Sequence, residues 1–207
     1  MNNSILHMVL ILGLITSLAG ATLSFIHDET APVIELRILH DKIKPALYTL
    51  LRGVTYTNDP VSSRLILNSD KDKTDKKKLT AKVFIAKNKN NIVAVAFETS
   101  ASGYGGNISV LSVFNLNTNK LEGARALDHK ETKGLGARIS NVREPFIKQF
   151  SGLTYDTPIK LKRNGGKVNA ISGATFSSTG FTRAIEKARI LLNKRKKEIF
   201  TAAEAGQ

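Results

Sequence analysis

Two segments combine glycine with hydroxyl or ionisable side chains, at positions where glycine would favour neither a strand nor a helix. They are Asp128–Ala137, DHKETKGLGA, and Gly165–Gly180, GGKVNAISGATFSSTG. In the second, the hydroxyls of Ser172 and Thr175 come just before a predicted helix. The first N–H groups of a helix lack intrahelical acceptors and its dipole favours anions there, so the pattern suits phosphate binding. An ordinary helix start capped by Ser or Thr is the simpler interpretation of the same residues.

Composition excludes several other kinds of site. The chain has no Cys, which excludes disulfides, thiolate metal sites, iron–sulfur ligation by this chain and cysteine nucleophiles. The DHKETKGLGA segment lacks both the glycine spacing of a dinucleotide fingerprint and the G-K-[ST] end of a P-loop. The four histidines are scattered without metal-ligand spacing, so no metal site is predicted: His7, His27, His40 and His129.

The chain is strongly basic, with 31 Lys plus Arg against 17 Asp plus Glu and a net charge of +14. Such a charge can indicate a nucleic-acid partner. However, aromatic residues make up only 6% and do not alternate with the basic ones, so no base-stacking surface is predicted. Many lysines fall in polar turns such as Lys71–Lys78 and Lys87–Asn91. We therefore favour solvated loops and expect no nucleic-acid binding.

The first 27 residues carry no Asp, Glu, Lys or Arg. Within them, the apolar run Ile5–Ile26 would span about 33 Å as a helix, enough to cross a bilayer. A cleaved signal peptide, with small residues at Ala19–Ala21, or a buried core helix are the alternatives. The N-terminal MNNS lacks the basic residues of a signal peptide, so we predict an uncleaved anchor over residues 1–27 and one domain over 28–207.

The pattern of apolar residues in the remainder of the chain predicts helices before and after a sheet in the sequence. Apolar steps of three and four predict a helix over Thr30–Leu51, with Pro32 in its first turn and Pro45 either kinking or dividing it. A short helix interrupted by Pro145 is predicted over Arg138–Phe150, and a long amphipathic helix from Ser177 to about Lys197.

Between these helices, short apolar runs are separated by turn-forming residues, which predicts an antiparallel meander. The sequence thus predicts an α+β fold: an antiparallel sheet packed with helices, preceded by one N-terminal transmembrane helix. The predicted strands are Arg64–Leu67, Leu79–Ala86, Ile92–Thr99, Ile108–Phe114 and Leu121–Leu127.

Three motifs together with the anchor resemble a known family. GYGGNI at Gly103–Ile108, HKETKGLGARI at His129–Ile139 and SGAT at Ser172–Thr175 are similar in order and spacing to the FMN-binding G subunit of the Rnf electron transport complex. The G subunit is related to the C subunit of the sodium-pumping NADH:quinone reductase. The resemblance covers essentially the whole chain.

The resemblance implies a membrane-anchored electron carrier with FMN esterified through its phosphate to Thr175. It implies a complex that couples electron transfer to ion transport, a bacterial inner-membrane location with the domain on the periplasmic side, and a flavin transferase for maturation. The positive-inside rule, through Arg37, Lys42 and Lys44, weakly favours the opposite side, although large domains translocate largely regardless of charge.

The resemblance also implies the residues around the cofactor. The Tyr104–Gly106 and His129–Gly136 loops would approach the isoalloxazine or its ribityl chain, with hydrogen bonds from Glu131 and Thr132 and close backbone approach at Gly134 and Gly136. No catalytic triad, general base or metal is expected, because the redox chemistry belongs to the cofactor. The predicted cofactor-binding residues are Thr175, Ser172, Gly173, Ala174, Tyr104, Gly106, His129, Glu131, Thr132, Gly134, Leu135 and Gly136.

Two positions depart from the family pattern. The family usually has an acidic residue three positions before S/T-G-A-T, where this chain has Asn169, so flavin attachment is expected either to be slower or to tolerate the change. The family's E-T-P-G-L-G is E-T-K-G-L-G here, with Lys133 in place of proline, and we expect a looser loop.

A rival hypothesis is a non-catalytic, membrane-tethered basic domain. It would bind anionic lipid or another polyanion through the basic residues of Arg183–Lys197. Such a module would carry no covalent flavin mass, and its binding would depend strongly on salt.

Overall fold

The structure, a computed structural model, describes residues 3–68 and 80–205. The chain forms two compact units that divide after Lys42. The first contains helix α1, Asn3–Ile38, and the π-helical turn Leu39–Ile43 leads into the second. Within the described residues, one helical stretch is long and apolar enough to cross a membrane, Ser4–Gly53, which includes nearly all of α1. None of its most apolar window is buried, unlike a soluble core helix, whereas a signal sequence would pass the same test of length and composition.

The predicted helix start at Thr30 is wrong, because α1 continues through this position without a break. The Thr30 hydroxyl donates to the carbonyl of Ile26 at 2.7 Å and therefore does not cap a new helix. Pro32 lies inside α1 and not in a first turn. No division is observed at Pro45: the helical stretch Ser4–Gly53 runs through it, with the π-helical turn Leu39–Ile43 followed directly by helix α2, Lys44–Leu50, and Pro45 in the first turn of α2.

The second unit is built on a five-stranded sheet in which every pairing is antiparallel and the strands lie in chain order. All five predicted strands are confirmed, with ends that differ by a few residues; Leu79 lies outside the described residues. The strands are β1 Arg64–Asn68, β2 Thr80–Asn88, β3 Asn91–Ser102, β4 Asn107–Asn115 and β5 Lys120–Asp128.

The helical segments after the sheet differ from the prediction in their limits. In place of one interrupted helix there is a 3₁₀ turn, Gly136–Ser140, and a separate short helix α3, Pro145–Lys148. Glu144 has an extended ψ of 128°, as the residue before a proline usually does, and this separates the two. The long helix α4 is Thr175–Ala205, so it begins two residues before the predicted start and ends later.

The sheet is covered on both faces. The main core lies between one face and α4, where Val95, Phe97, Phe114 and Phe181 are essentially inaccessible to water. On the other face α2 packs over β4 and β5. The fold is therefore α+β, an antiparallel sheet packed with helices, as predicted.

Two contacts fix α4 against β3. The buried hydroxyl of Thr99 donates to the carbonyl of Ala184 at 2.8 Å. At Gly180 the helix comes so close that an added Cβ would lie 2.7 Å from the carbonyl oxygen of Ser102. This approach places the β3–β4 turn beside the first turn of α4.

Candidate functional site

A cleft of about 450 Å³ lies where the β3–β4 turn, the segment after β5 and the start of α4 meet. These three stretches are far apart in sequence and include all three motifs found in the sequence. The cleft is lined by Tyr104, Glu131, Thr132, Leu135, Gly136, Gly173, Ala174, Thr175, Phe176 and Ser177.

The β3–β4 turn is held in one shape by its glycines. The N–H of Gly103 donates to the carbonyl of Gly106 at 2.7 Å, and Gly106 has a φ of +141°, which other residues rarely adopt. A Cβ on Gly105 would collide with the carbonyl of Lys130. The turn therefore packs directly on the segment that carries Glu131, with Tyr104 at the edge of the cleft.

The Glu131 carboxylate joins all three walls of the cleft. It is only 7% exposed. The backbone N–H groups of Tyr104 and Gly105 each donate to its Oε1 at 3.0 Å, and the Ser177 hydroxyl donates to its Oε2. A Cβ on Gly136 would collide with the Ser177 hydroxyl, so only glycine fits beside this pair. The acceptor capacity of Glu131 is thus used largely within the protein.

The SGAT turn is fastened to the helix that follows it. Gly173 has a φ of +76°, which favours glycine, and the Ala174 N–H donates to the carbonyl of Ile171 at 3.1 Å. The buried hydroxyl of Ser178 accepts from the N–H of Ile171 at 3.0 Å and donates to the carbonyl of Ala174 at 2.9 Å. These bonds fix Thr175 as the first residue of α4.

Four hydroxyls lie in the first five residues of α4, and three are already engaged. The hydroxyl of Ser177 bonds Glu131, that of Ser178 bonds Ala174, and that of Thr179 donates to the carbonyl of Thr175 at 2.8 Å. Among the residues that the structure describes, the Thr175 hydroxyl has no hydrogen-bond partner. It lines the cleft and is partly exposed, so it is the hydroxyl of this helix start that is open to modification.

Large apolar side chains stand exposed around Thr175. Tyr104 is 74%, Phe176 71% and Leu135 50% exposed. The Tyr104 and Phe176 rings are 6.4 Å apart between centroids and inclined by 48°. Burying a large apolar side chain is worth roughly 1.5–3 kcal/mol, and that gain is not realised here. The cleft therefore offers apolar surface to a ligand.

Four of the predicted cofactor-binding residues do not line the cleft. His129 lies behind it: its Nε2 is 2.5 Å from the Ser140 hydroxyl, and its Nδ1 accepts from the Glu131 N–H at 3.2 Å. The ring therefore orients the Glu131 segment. Ser172, Gly106 and Gly134 lie in the turns that build the walls.

Two residues that line the cleft were missed by the sequence analysis, Phe176 and Ser177. Phe176 is an apolar residue in an amphipathic helix and looks like a core residue. Its sequence signal is that it lies off the stripe formed by Phe181, Ala184 and Ile185. Ser177 gives no such signal, because its bond to Glu131 joins residues 46 positions apart.

Asn169, where the family resemblance predicts an acidic residue, is exposed and held by Gln149. The Asn169 N–H and side-chain amide both donate to Gln149 Oε1, at 2.8 and 3.1 Å, and Gln149 Nε2 donates to the carbonyl of Asn169 at 3.1 Å. The segment that leads into SGAT is thus fixed to the end of α3 by an amide pair without charge.

A second cleft of about 470 Å³ lies elsewhere in the same unit, and its lining differs in chemistry. It contains Lys120, Lys160 and Lys167 but no aromatic side chain, and it includes none of the three motifs. The cleft at Thr175 is therefore the candidate site.

Comparison with known proteins identifies relatives over nearly the whole chain. Residues 103–189, which include every residue of the cleft, match the FMN-binding domain family. The G subunit of the ion-translocating oxidoreductase complex from Cereibacter sphaeroides is 30% identical over 194 residues, covering 92% of this chain and 85% of the relative. The protein of the same name from Buchnera aphidicola subsp. Baizongia pistaciae is 31% identical over 189 residues, covering 88% and 85%.

Among solved structures, the C subunit of the Na⁺-translocating NADH-quinone reductase from Parabacteroides distasonis is 19% identical. It superimposes with a TM-score of 0.48 over 71% of this chain and 86% of that one. The sequence relatives decide the assignment, since they reach 30% identity while covering most of both proteins. The chain belongs to the family of G subunits of ion-translocating oxidoreductase complexes.

Proposed function

We propose that this chain is a membrane-anchored flavoprotein subunit that relays electrons within an ion-translocating oxidoreductase complex. Its FMN is held covalently, by a phosphoester to Thr175. The observation that carries the proposal is the unengaged hydroxyl of Thr175, in a cleft walled by exposed aromatic side chains. Relatives named as complex subunits and the match to the FMN-binding domain family support it.

The start of α4 suits the phosphate of FMN. The backbone N–H groups of Thr175, Phe176 and Ser177 come before the first intrahelical bond, and no acceptor for them lies among the described residues. Such N–H groups and the positive end of a 31-residue helix stabilise a phosphodiester charge. A phosphate on the Thr175 hydroxyl would lie beside them.

The remainder of the cleft suits the flavin ring. The volume of the whole cleft, about 450 Å³, lies within the usual range for small-molecule sites, roughly 300–1,000 Å³. The exposed side chains of Tyr104, Leu135 and Phe176 offer apolar contact, and the glycines let the backbone come close. Bound FMN would supply the redox chemistry, whereas the chain binds and orients it and sets its surroundings.

The proposal includes a location and two kinds of partner. Helix α1 would anchor the chain in the bacterial inner membrane, with the FMN domain on the periplasmic side. The other subunits of the complex would exchange electrons with the flavin, and a flavin transferase would attach it. The apolar composition of α1 and the relatives' names support this placement.

Mass spectrometry of the full chain, produced together with the flavin transferase, tests the attachment. Cleavage after Lys167 and Arg183 releases peptide 168–183, on which we expect the mass of FMN less one water. Thr175→Ala should abolish the added mass. Thr179→Ala is the matched control, since its hydroxyl bonds a helix carbonyl and should leave attachment unchanged. A wild-type peptide without added mass contradicts the proposal.

Protease treatment of spheroplasts tests the placement separately. A periplasmic domain should be digested by external protease, while a cytoplasmic control protein stays intact. A domain that resists digestion in intact spheroplasts but is cut after lysis would refute the periplasmic placement and leave the flavin assignment standing.

A further inference from the structure

We propose that Phe176 and Tyr104 together form the surface on which the flavin ring lies, and that Phe176 is a positioning residue for the ring. This inference rests on the proposed function, because the ring belongs to the FMN attached at Thr175. It assigns a role to Phe176, a residue outside the SGAT motif.

Exposure separates these two side chains from the other large apolar residues of their unit. Tyr104 and Phe176, at 74% and 71%, are the two most exposed in its described part. The remaining exposed ones are less accessible and, except for Leu135, lie outside the cleft: Leu135 50%, Ile66 55%, Val142 43% and Ile190 38%. The exposed aromatic surface of this unit is therefore concentrated at one place, beside Thr175.

Both rings are carried by firmly held backbone. Phe176 is the second residue of α4, whose start is fastened through Ser178. Tyr104 is fixed by its N–H bond to Glu131, at 3.0 Å. The rings are 6.4 Å apart and inclined by 48°, so they touch only along one side and leave their other surfaces in water. A planar apolar ligand can thus contact both without a rearrangement of the backbone.

The position of Phe176 next to Thr175 indicates which ligand occupies the aromatic surface. A ligand esterified to Thr175 has a high effective concentration at the neighbouring side chain of Phe176. Even a weak contact between this ligand and Phe176 therefore forms. Aromatic surfaces prefer offset stacked or edge contacts with other rings, which the isoalloxazine offers. A lipid surface is a different occupant of the same patch, and the experiment separates the two.

The test uses the loaded full chain in detergent and measures the flavin's fluorescence lifetime and anisotropy decay. Phenols quench excited flavin by electron donation on contact, whereas a phenyl ring does not. Tyr104→Phe should therefore lengthen the lifetime and keep the flavin immobile. Phe176→Ala should lower the ratio of immobile to mobile flavin roughly two- to twelve-fold, as expected for one aromatic contact. Phe176→Leu should give a smaller loss.

Ile190→Ala is the matched control, an exposed apolar residue of the same helix outside the cleft, and should change neither signal. Wild-type lifetime in Tyr104→Phe together with wild-type anisotropy in Phe176→Ala overturns the inference. If flavin fails to attach to both Phe176 variants, the flavin fluorescence lifetime in loaded Tyr104→Phe is decisive. A wild-type lifetime there means that the ring does not lie on Tyr104, and it overturns the inference.

Two further results separate the possible failures. Absence of added mass on wild-type peptide 168–183 contradicts the proposed function itself. Added mass with unchanged flavin signals, combined with weaker binding of Phe176→Ala to phosphatidylglycerol vesicles, would assign the aromatic patch to the membrane surface and overturn the inference alone.

Discussion

Glu131 shows how one side chain can hold a site without being its reactive group. The family resemblance predicts that it hydrogen-bonds near the cofactor. In the structure its oxygens accept from Tyr104, Gly105 and Ser177, which belong to the other two walls of the cleft. Its removal should therefore affect stability as well as flavin binding.

We predict that Glu131→Ala lowers the free energy of unfolding by about 1–3 kcal/mol, because three donors lose their acceptor in a buried place. Urea unfolding of the full chain in detergent, followed by circular dichroism, measures this. Glu198→Ala is the control: Glu198 forms an exposed helical ion pair with Arg195, worth about 0.3–0.5 kcal/mol. Equal losses in the two variants would show that the Glu131 bonds add nothing.

Asn169→Asp should speed flavin attachment, since it introduces the acidic residue that the family resemblance predicts before SGAT. The variant keeps the backbone N–H bond to Gln149 and loses only the side-chain donor. The initial rate of mass gain with the flavin transferase measures the effect, and Asn164→Asp, at another exposed position, is the control. An unchanged rate would mean that Asn169 serves as well as aspartate.

The residue proposed for the attachment, Thr175, is indicated in the sequence by the family resemblance of SGAT, whereas the residues alone favour an ordinary capped helix start. For Phe176 the sequence shows only that it lies off the apolar stripe of α4, and this does not say which other residues meet it there. Whether such a residue is buried depends on where β3 ends relative to α4, and no local pattern encodes that distance. The engagement of Ser177 by Glu131 depends on the tertiary fold for the same reason.

At the scale of elements, the close approach of α4 to the end of β3 at Gly180 brings the β3–β4 turn next to the start of α4. Gly180→Ala should destabilise the chain. An alanine would gain about 1 kcal/mol of helix propensity, but its Cβ would lie 2.7 Å from the Ser102 carbonyl, and overpacking costs about 1–3 kcal/mol. We expect a net loss of up to about 2 kcal/mol in urea unfolding and less flavin attached per chain. Net stabilisation would show that the helix can shift freely.

Helix α2 is tied to the loop that follows it by Tyr48, whose hydroxyl donates to Asp59 Oδ1 at 2.7 Å. This bond raises the pKa of Tyr48 to about 12 and holds the pKa of Asp59 below its ordinary 3.8. The stabilisation is therefore present between these limits. It is lost as pH falls through the lowered pKa of Asp59, and as pH rises from about 10 to about 12.

The stability difference between wild type and Tyr48→Phe should accordingly be largest between about pH 4 and pH 10 and shrink on either side. Thermal unfolding of both proteins below, within and above this range measures the difference. A difference that does not vary with pH would mean that the hydroxyl–carboxylate bond does not contribute.

The strands could be predicted because alternation and turn-forming residues are both local signals. The limits of the helices were harder. Thr30 looks like a helix start, but its hydroxyl bonds back to Ile26, so the helix continues. Residues 138–150 look like a short helix interrupted by Pro145, yet the extended backbone of Glu144 separates a 3₁₀ turn from α3, and Arg138 bonds Glu144 across the linker at 2.8 Å. Hydrogen-bonded side-chain contacts of this kind cannot be predicted from the periodicity of apolar residues.

For the whole molecule, the uncharged start and the net charge of +14 predict different kinds of membrane attachment. A chain anchored by α1 should stay with the membrane in about 1 M NaCl, where the Debye length is only about 3 Å, and after alkaline carbonate. A chain held only through its basic surface should be released by salt. Release of the chain at high salt would favour the rival basic module over the anchored carrier.

The cleft draws its walls from Tyr104, Glu131 and Thr175, which lie in different parts of the chain and meet only once α4 has docked on the sheet. An unfolded or half-folded chain contains the same threonine but has neither the aromatic surface nor the Glu131 bridge. Flavin that is bound in this cleft, and not merely attached to Thr175, would therefore show that the molecule has folded completely. The fraction of immobile flavin in the anisotropy decay would thus measure the fraction of molecules that are completely folded.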